Sequence, residues 1–225
     1  MTKQIIASLV VVGFLLISFE GYAYEDGDFQ YWNTESIDVK LTDKVGIYIE
    51  EEFRFGDNAG EFYYQHSHLQ SDFKITDWFT LAPAYRQVFE LYTKSNTEDD
   101  WFTEYRPMVN GTLKWKWEDW ELSNRARVSY RMFDIDKNDV WRFRNKLAVK
   151  SPWKWTKLEI NPWVADEIFL EEHESGVYRN RLYVGVGLKL TEHLKGDIFY
   201  LWQSTEKGDN WADYNVIGTK LKVVF

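Results

Sequence analysis

Two neighbouring stretches carry basic side chains at even spacing: Arg125, Arg127 and Arg131 in the first, Arg142, Arg144 and Lys146 in the second. On an extended backbone, even spacing puts them on one face. A guanidinium is a planar fork matched to carboxylates and sulfates, so such a face predicts a basic wall for anions. Arg179 and Arg181 extend it, and Glu50, Glu52, Glu90, Glu104, Glu159 and Glu167 supply carboxylates from other stretches. A basic wall opposite an acidic one sets up a transverse field that orients solutes and selects ions. Cross-pairing of the same charges would instead fill the space between the walls.

Other constellations carry less chemistry. His66 and His68 flank Ser67, with Glu61 nearby. A nucleophile needs its base within hydrogen-bond reach, but in a strand both histidines share one face and Ser67 points to the other. A histidine pair that hydrogen-bonds on the polar face is the plainer reading, and no enzyme is expected. Asp134 to Asp139 begins like a calcium loop but has no Gly at its sixth position, and Asn145 stands where the bidentate Glu belongs. A solvated acidic loop is expected there, with neither metal nor cofactor.

The elements that must hold these residues are strands. Val45, Ile47, Ile49, Phe53 and Phe55 oppose Gly46, Tyr48, Glu50, Glu52 and Arg54; Leu182, Val184, Val186 and Leu188 oppose Arg181, Tyr183, Gly185, Gly187 and Lys189. The two-residue period is that of a strand. Short breaks recur at Leu41–Lys44, Ile75–Trp78 and Leu190–His193, with tryptophan-rich ones at Trp115–Trp120 and Trp153–Lys157. Between them lie acidic breaks rich in Gly and Asn, at Gly56–Gly60, Thr93–Asp100, Asp134–Asp139, Glu171–Gly176 and Ser204–Asn210. Short turns on one side and longer loops on the other predict periplasmic and extracellular ends. Eleven segments can be delimited. Because single-chain bacterial barrels have even counts, ten or twelve strands are expected, with Tyr24 to Glu35 free to fold into the mouth or lumen.

The 225 residues have a net charge of −9, no cysteine, 18% aromatics with twelve Trp and fourteen Tyr, and a mean hydropathy of −0.49. The acidic balance argues against nucleic acid. Lys3, the apolar run Ile5 to Phe19 and Gly21-Tyr22-Ala23 read as an export signal cleaved after Ala23, leaving 24–225 as one domain. Without cysteine, the exported chain is held by pairing and packing alone. The final strand sets Ile217, Leu221, Val223 and Phe225 on one face and Gly218, Lys220 and Lys222 on the other. Alternation alone fits both a soluble sandwich and a membrane barrel. The signal, the terminal Phe, the uneven breaks and the aromatic load together favour an all-β transmembrane antiparallel up-and-down barrel.

The ordered set Glu52-Phe53-Arg54, Ala84-Tyr85-Arg86-Gln87, Trp101 to Pro107, Asn124 to Arg131, Trp141-Arg142-Phe143-Arg144, Asn161-Pro162-Trp163, Asp166 to Phe169 and Arg179-Asn180-Arg181 resembles a family of bacterial outer-membrane barrels of unknown function. The resemblance spans nearly all of the mature chain and implies fold and localisation without an activity. In size and in its Arg-rich strands the chain is more loosely similar to porins specific for acidic oligosaccharides.

The reading that results is a Gram-negative outer-membrane barrel, porin-like and narrow, for small anionic solutes. The alternative is a closed structural barrel with a charge-plugged lumen, and an outer-membrane enzyme ranks third. The expected partners are outer-membrane lipid and, through the strand ending at Phe225, the barrel assembly machinery. No nucleic acid partner is expected, and the barrel is expected to be a monomer.

Overall fold

The computed structural model describes residues 26–92, 100–208 and 210–225; the export segment over residues 1–23 lies outside them. Eleven strands run in order: β1 (Phe29–Lys40), β2 (Val45–Gly56), β3 (Glu61–Lys74), β4 (Phe79–Tyr92), β5 (Asp100–Trp117), β6 (Trp120–Phe133), β7 (Val140–Lys150), β8 (Asn161–Glu171), β9 (Val177–Lys189), β10 (Leu194–Lys207) and β11 (Asn210–Val224). Each pairs antiparallel with its sequence neighbour, and the sheet closes on itself. Among the described residues no helix is long and apolar enough to cross a membrane.

The count corrects the expected ten or twelve. With an odd number of alternating strands, the first and last run the same way, so β1 meets β11 in parallel, from Phe29 beside Asn215 to Asp38 beside Val224. Phe225 seals the seam, donating its N–H to Asp38 O at 2.9 Å and accepting from Lys40 N at 3.0 Å. The even-count rule assumes both chain ends at one rim; here they lie at opposite rims. Phe29 to Glu35 is correspondingly part of a full stave and is not tucked into the lumen.

Three turns repeat one geometry, as their related sequences predict. Leu41 and Thr42, Ile75 and Thr76, and Leu190 and Thr191 donate backbone N–H groups to the carbonyls of Val45, Phe79 and Leu194. Thr42 Oγ1 also accepts from Lys44 N and Val45 N, and Thr191 Oγ1 from His193 N and Leu194 N, the local bonding that favours Thr in tight turns. Among the described residues no contrast between a short-turn rim and a long-loop rim is found; residues 93–99, which hold most of the expected Thr93–Asp100 loop, lie outside them. The longest connection, residues 151–160, lies at the rim that holds Phe225 (the C-terminal rim). At the opposite, N-terminal rim, Lys207 and Asn210 are hairpin partners, because the β10–β11 ladder continues through residues that read as a loop.

Apolar side chains face outward, including Ile37, Ile49, Leu69, Val109, Val128, Leu147, Val164, Val184 and Ile198, with Trp78, Trp117, Trp153 and Trp155 exposed at the C-terminal rim. The interior is not uniformly polar. Trp32, Ala165, Tyr183, Phe199, Leu201 and Val216 form a buried inner cluster, with Trp163 packed against it. Phe199 stands between its register partners Gly185 and Gly218. A Cβ on Gly218 would lie 2.0 Å from Phe199 Cζ, and one on Gly185 2.7 Å from Phe199 Cβ. Glycine is required on both flanks for the ring to lie against the wall.

Candidate functional site

Strand parity carries the charged residues inside, as the alternation predicts. Arg125, Arg127, Arg144, Lys146, Arg181, Glu50, Glu52 and Glu167 line a cavity of about 840 Å³ that opens toward the C-terminal rim. Arg131, Arg142, Arg144, Arg179, Arg181 and Glu90 line a second one of about 590 Å³ toward the N-terminal rim. Glu104 is fully buried beneath Arg106 and Arg131. Glu159 is the exception, because it stands in the 151–160 connection against Lys154 and Lys189 and not in the lumen. There the Lys154 ammonium, hydrogen-bonded to it, holds its carboxyl below the ordinary range.

Four arginines, Arg54, Arg86, Arg144 and Arg181, line both cavities and mark the waist between them. Arg54 binds Glu52 through Nε at 2.7 Å and Nη2 at 2.5 Å, and its guanidinium lies 3.7 Å from the Trp32 ring centre and 4.1 Å from that of Tyr64. Arg86 reaches Glu50 at 3.1 Å, and His66 Nε2 lies 3.0 Å from the same oxygen. Arg144 binds Glu167 at 2.8 Å, Tyr183 donates its hydroxyl to Glu167 at 3.0 Å, and Arg125 lies 3.5 Å away. Arg181 differs: it donates to Gln203 at 2.7 Å and sits 4.8 Å from both the Trp32 and Phe169 ring centres, with no carboxylate in ion-pair reach among the described residues. Cation–π contacts of this kind fix a guanidinium while leaving some of its donors free.

Toward the N-terminal rim, Glu104 accepts two bonds each from Arg106 and Arg131, all 2.6–2.7 Å. Arg131 and Arg142 also share Glu171, at 2.9 and 2.6 Å. These short-range pairs replace the expected transverse field. Acidic and basic residues interleave around the wall because register sets Glu50 on β2 and Arg86 on β4 either side of His68 on β3, and the adjacent strands β7 and β8 bring Arg144 beside Glu167.

The pairing leaves a surplus of cations. Thirteen Lys and Arg against seven Asp and Glu line the C-terminal-rim cavity, and ten against four line the other, inside a chain whose net charge is −9. Arg127 donates to Asn110 at 2.6 Å, and Lys146 stands 3.5 Å from the Tyr183 ring centre; neither has a carboxylate in ion-pair reach among the described residues. Arg86 Nε and His68 Nδ1 are buried without a hydrogen-bond partner, although both side chains line the larger cavity. His66 and His68 face inward and Ser67 outward, so the trio forms no nucleophile–base pair. No metal-holding cluster occurs among the described residues.

Arg54, Arg86 and Arg106 are central to the network yet absent from the sequence-derived set. Parity could have found them, since Arg54 shares its face with Glu50 and Glu52, and Arg106 shares its face with Glu104.

Comparison with known proteins agrees with this architecture. Residues 29–214 match the family described as protein of unknown function (DUF2490), and the chain belongs to that family. No curated protein matches the chain. Among solved structures, the β domain of the Bordetella autotransporter BrkA superposes with a TM-score of 0.53 at 12% identity, covering 78% of this chain and 82% of that one. That likeness is one of fold.

Proposed function

We propose that this chain is an exported bacterial outer-membrane barrel that draws small anions into two basic chambers and passes them through the arginine waist. Residues 1–23 serve as the export signal, and the strand ending at Phe225 is read by the barrel assembly machinery. The outward apolar belt and the likeness to an autotransporter β domain support placement in the outer membrane. The cationic surplus in both cavities carries the anion preference, because a basic constriction of low dielectric concentrates counter-ions. The reading includes no catalytic step.

A second reading has its own observation. Arg54, Arg86 and Arg144 are each pinned by a carboxylate at the waist, which favours a structural barrel with a plugged lumen. Conductance of the refolded protein in a planar bilayer under a salt gradient separates the two. The conduit reading expects small steps with anion preference, and weaker preference in Arg181→Gln and Arg127→Gln. Silence from a barrel that still shifts on a gel when boiled would establish the plugged form.

A further inference from the structure

One lumenal guanidinium is held in place without being neutralised. Arg127 on β6 is 5% exposed and donates Nε to Asn110 Oδ1 at 2.6 Å. Asn110 is fixed in turn, its amide nitrogen donating to Gln70 Oε1 at 2.8 Å. A neutral amide therefore orients the fork and leaves its charge uncancelled. Nη1 and Nη2 of Arg127 make no hydrogen bond among the described residues, and the side chain lines the larger cavity.

The charges that act on Arg127 are those of Arg125, Arg144 and Arg86, with Glu167 as the carboxylate among them. Glu167 is already engaged: it accepts from Arg144 at 2.8 Å and from Tyr183 at 3.0 Å, with Arg125 at 3.5 Å. Arg86 gives Nη2 to Glu50 at 3.1 Å, and its Nη1 makes no hydrogen bond among the described residues. Beside Arg86 in the register stands His68, 3% exposed, whose ring makes no hydrogen bond among the described residues and is within electrostatic reach of Arg127. Cations gathered in this way, with one shared carboxylate, raise the potential in the cavity and favour an anion of more than one charge.

We infer that Arg127, Arg125, Arg86 and His68 form a binding site for inorganic phosphate in the C-terminal-rim cavity. The inference rests on the proposed entry of small anions into the lumen and does not need them to pass the waist. A planar carboxylate is satisfied by one guanidinium fork, whereas a tetrahedral oxyanion presents acceptors in several directions and suits forks arriving from β4 and β6. Hydrogen phosphate adds a second feature, an O–H of its own beside its two negative charges. Guanidinium groups only donate, so they serve its bare oxygens. A neutral imidazole carries one donor and one acceptor, and the unpaired His68 ring can accept the phosphate hydrogen. Sulfate and the dianion of a phosphate ester have no such hydrogen, so the site selects against both.

The test is titration calorimetry on the full chain, expressed with its export signal and extracted in mild detergent. Inorganic phosphate, sulfate and glycerol phosphate are each added at constant ionic strength in mildly alkaline buffer, where phosphate is chiefly the dianion and histidine is neutral. Phosphate should bind saturably and more tightly than either comparator. Arg127→Gln should weaken it by at least about tenfold, the loss expected from one charge-assisted hydrogen bond, while Lys154→Gln, which removes a cation outside both cavities, should leave it unchanged. Should Arg127→Gln fail to give a heat-modifiable barrel, Arg125→Gln, with a side chain 36% exposed, carries the same expectation. No saturable phosphate heat, or an affinity unmoved in the folded variant, would overturn the site. Sulfate or glycerol phosphate binding as tightly as phosphate would overturn the choice of ligand. Phosphate binding by a barrel that is silent in the bilayer would keep the site and refute the conduit; anion-selective steps without phosphate binding would do the reverse.

Discussion

Replacing Glu104 by Gln tests whether the lumen network is dry and tightly coupled. The substitution keeps the shape but removes the charge that holds two guanidinium groups, and it turns one acceptor oxygen into an N–H donor aimed at other donors. Arg131 retains Glu171 at 2.9 Å, but Arg106 has no other carboxylate in ion-pair reach among the described residues. Removing one partner of a buried ion pair costs about 3–5 kcal/mol. Since Arg131 keeps a partner, a loss of about 3 kcal/mol is expected, roughly a hundredfold in the folding equilibrium at about 1.4 kcal/mol per decade. Arg106→Met should cost less than half as much, because Glu104 keeps both bonds from Arg131. The double variant Glu104→Gln/Arg106→Met should recover at least half of the Glu104→Gln loss by removing the stranded cation. Equilibrium urea unfolding in micelles, followed by tryptophan fluorescence, measures all three. Should Glu104→Gln fall within about 1 kcal/mol of the natural chain, the lumen would be wet enough to solvate a free guanidinium, and the dry, tightly coupled network would be refuted.

Two further outcomes follow from the wall and the seam. Gly218→Val places a side chain onto Phe199, where a Cβ alone would stand 2.0 Å from the ring; overpacking of this kind costs about 1–3 kcal/mol. Phe199→Ala should restore the variant in the same unfolding assay, and failure to do so would mean the ring is not what excludes a side chain there. With β1 and β11 parallel, an epitope placed just ahead of Asp28 should bind antibody on intact cells, whereas one following Phe225 should be reached only after the outer membrane is permeabilised. Binding at both epitopes on intact cells would refute the parallel closure, and the reverse pattern would set the C-terminal rim at the cell surface.

The strands were legible in the sequence because alternation is a local signal. Val45 to Phe55 and Arg181 to Leu190 sort into faces with no knowledge of their neighbours. Inward placement of Arg125 through Lys146 follows from the same parity. What alternation does not carry is register, and register decides pairing: that Glu50 meets Arg86 depends on how β2, β3 and β4 align. The expected transverse field failed for that reason. Glu159 was misplaced because parity lapses across the turn closed by the Trp155–Ile160 bridge. The parallel closure was hidden because the pairing of Phe29 with Asn215 joins opposite ends of the chain, where no local pattern reports it. The outward polar row Glu35–Glu51–Ser67–Gln87 emerged only once four strands were aligned, although each residue breaks its own strand's pattern.

The parallel seam also limits how this chain could be rewired. In an even barrel both termini share a rim, so a few residues suffice to join them and a new start can be cut in any loop. Here a linker from Phe225 back to Phe29 must travel the length of β1, twelve residues or about 40 Å at about 3.3 Å per residue. It would have to run through an occupied lumen or along the apolar outer face, where unpaired peptide groups are poorly tolerated. Circular permutation with a short linker is therefore closed to this fold. A chain lengthened by one further strand, antiparallel to both β1 and β11, would return its ends to a common rim and make permutation possible.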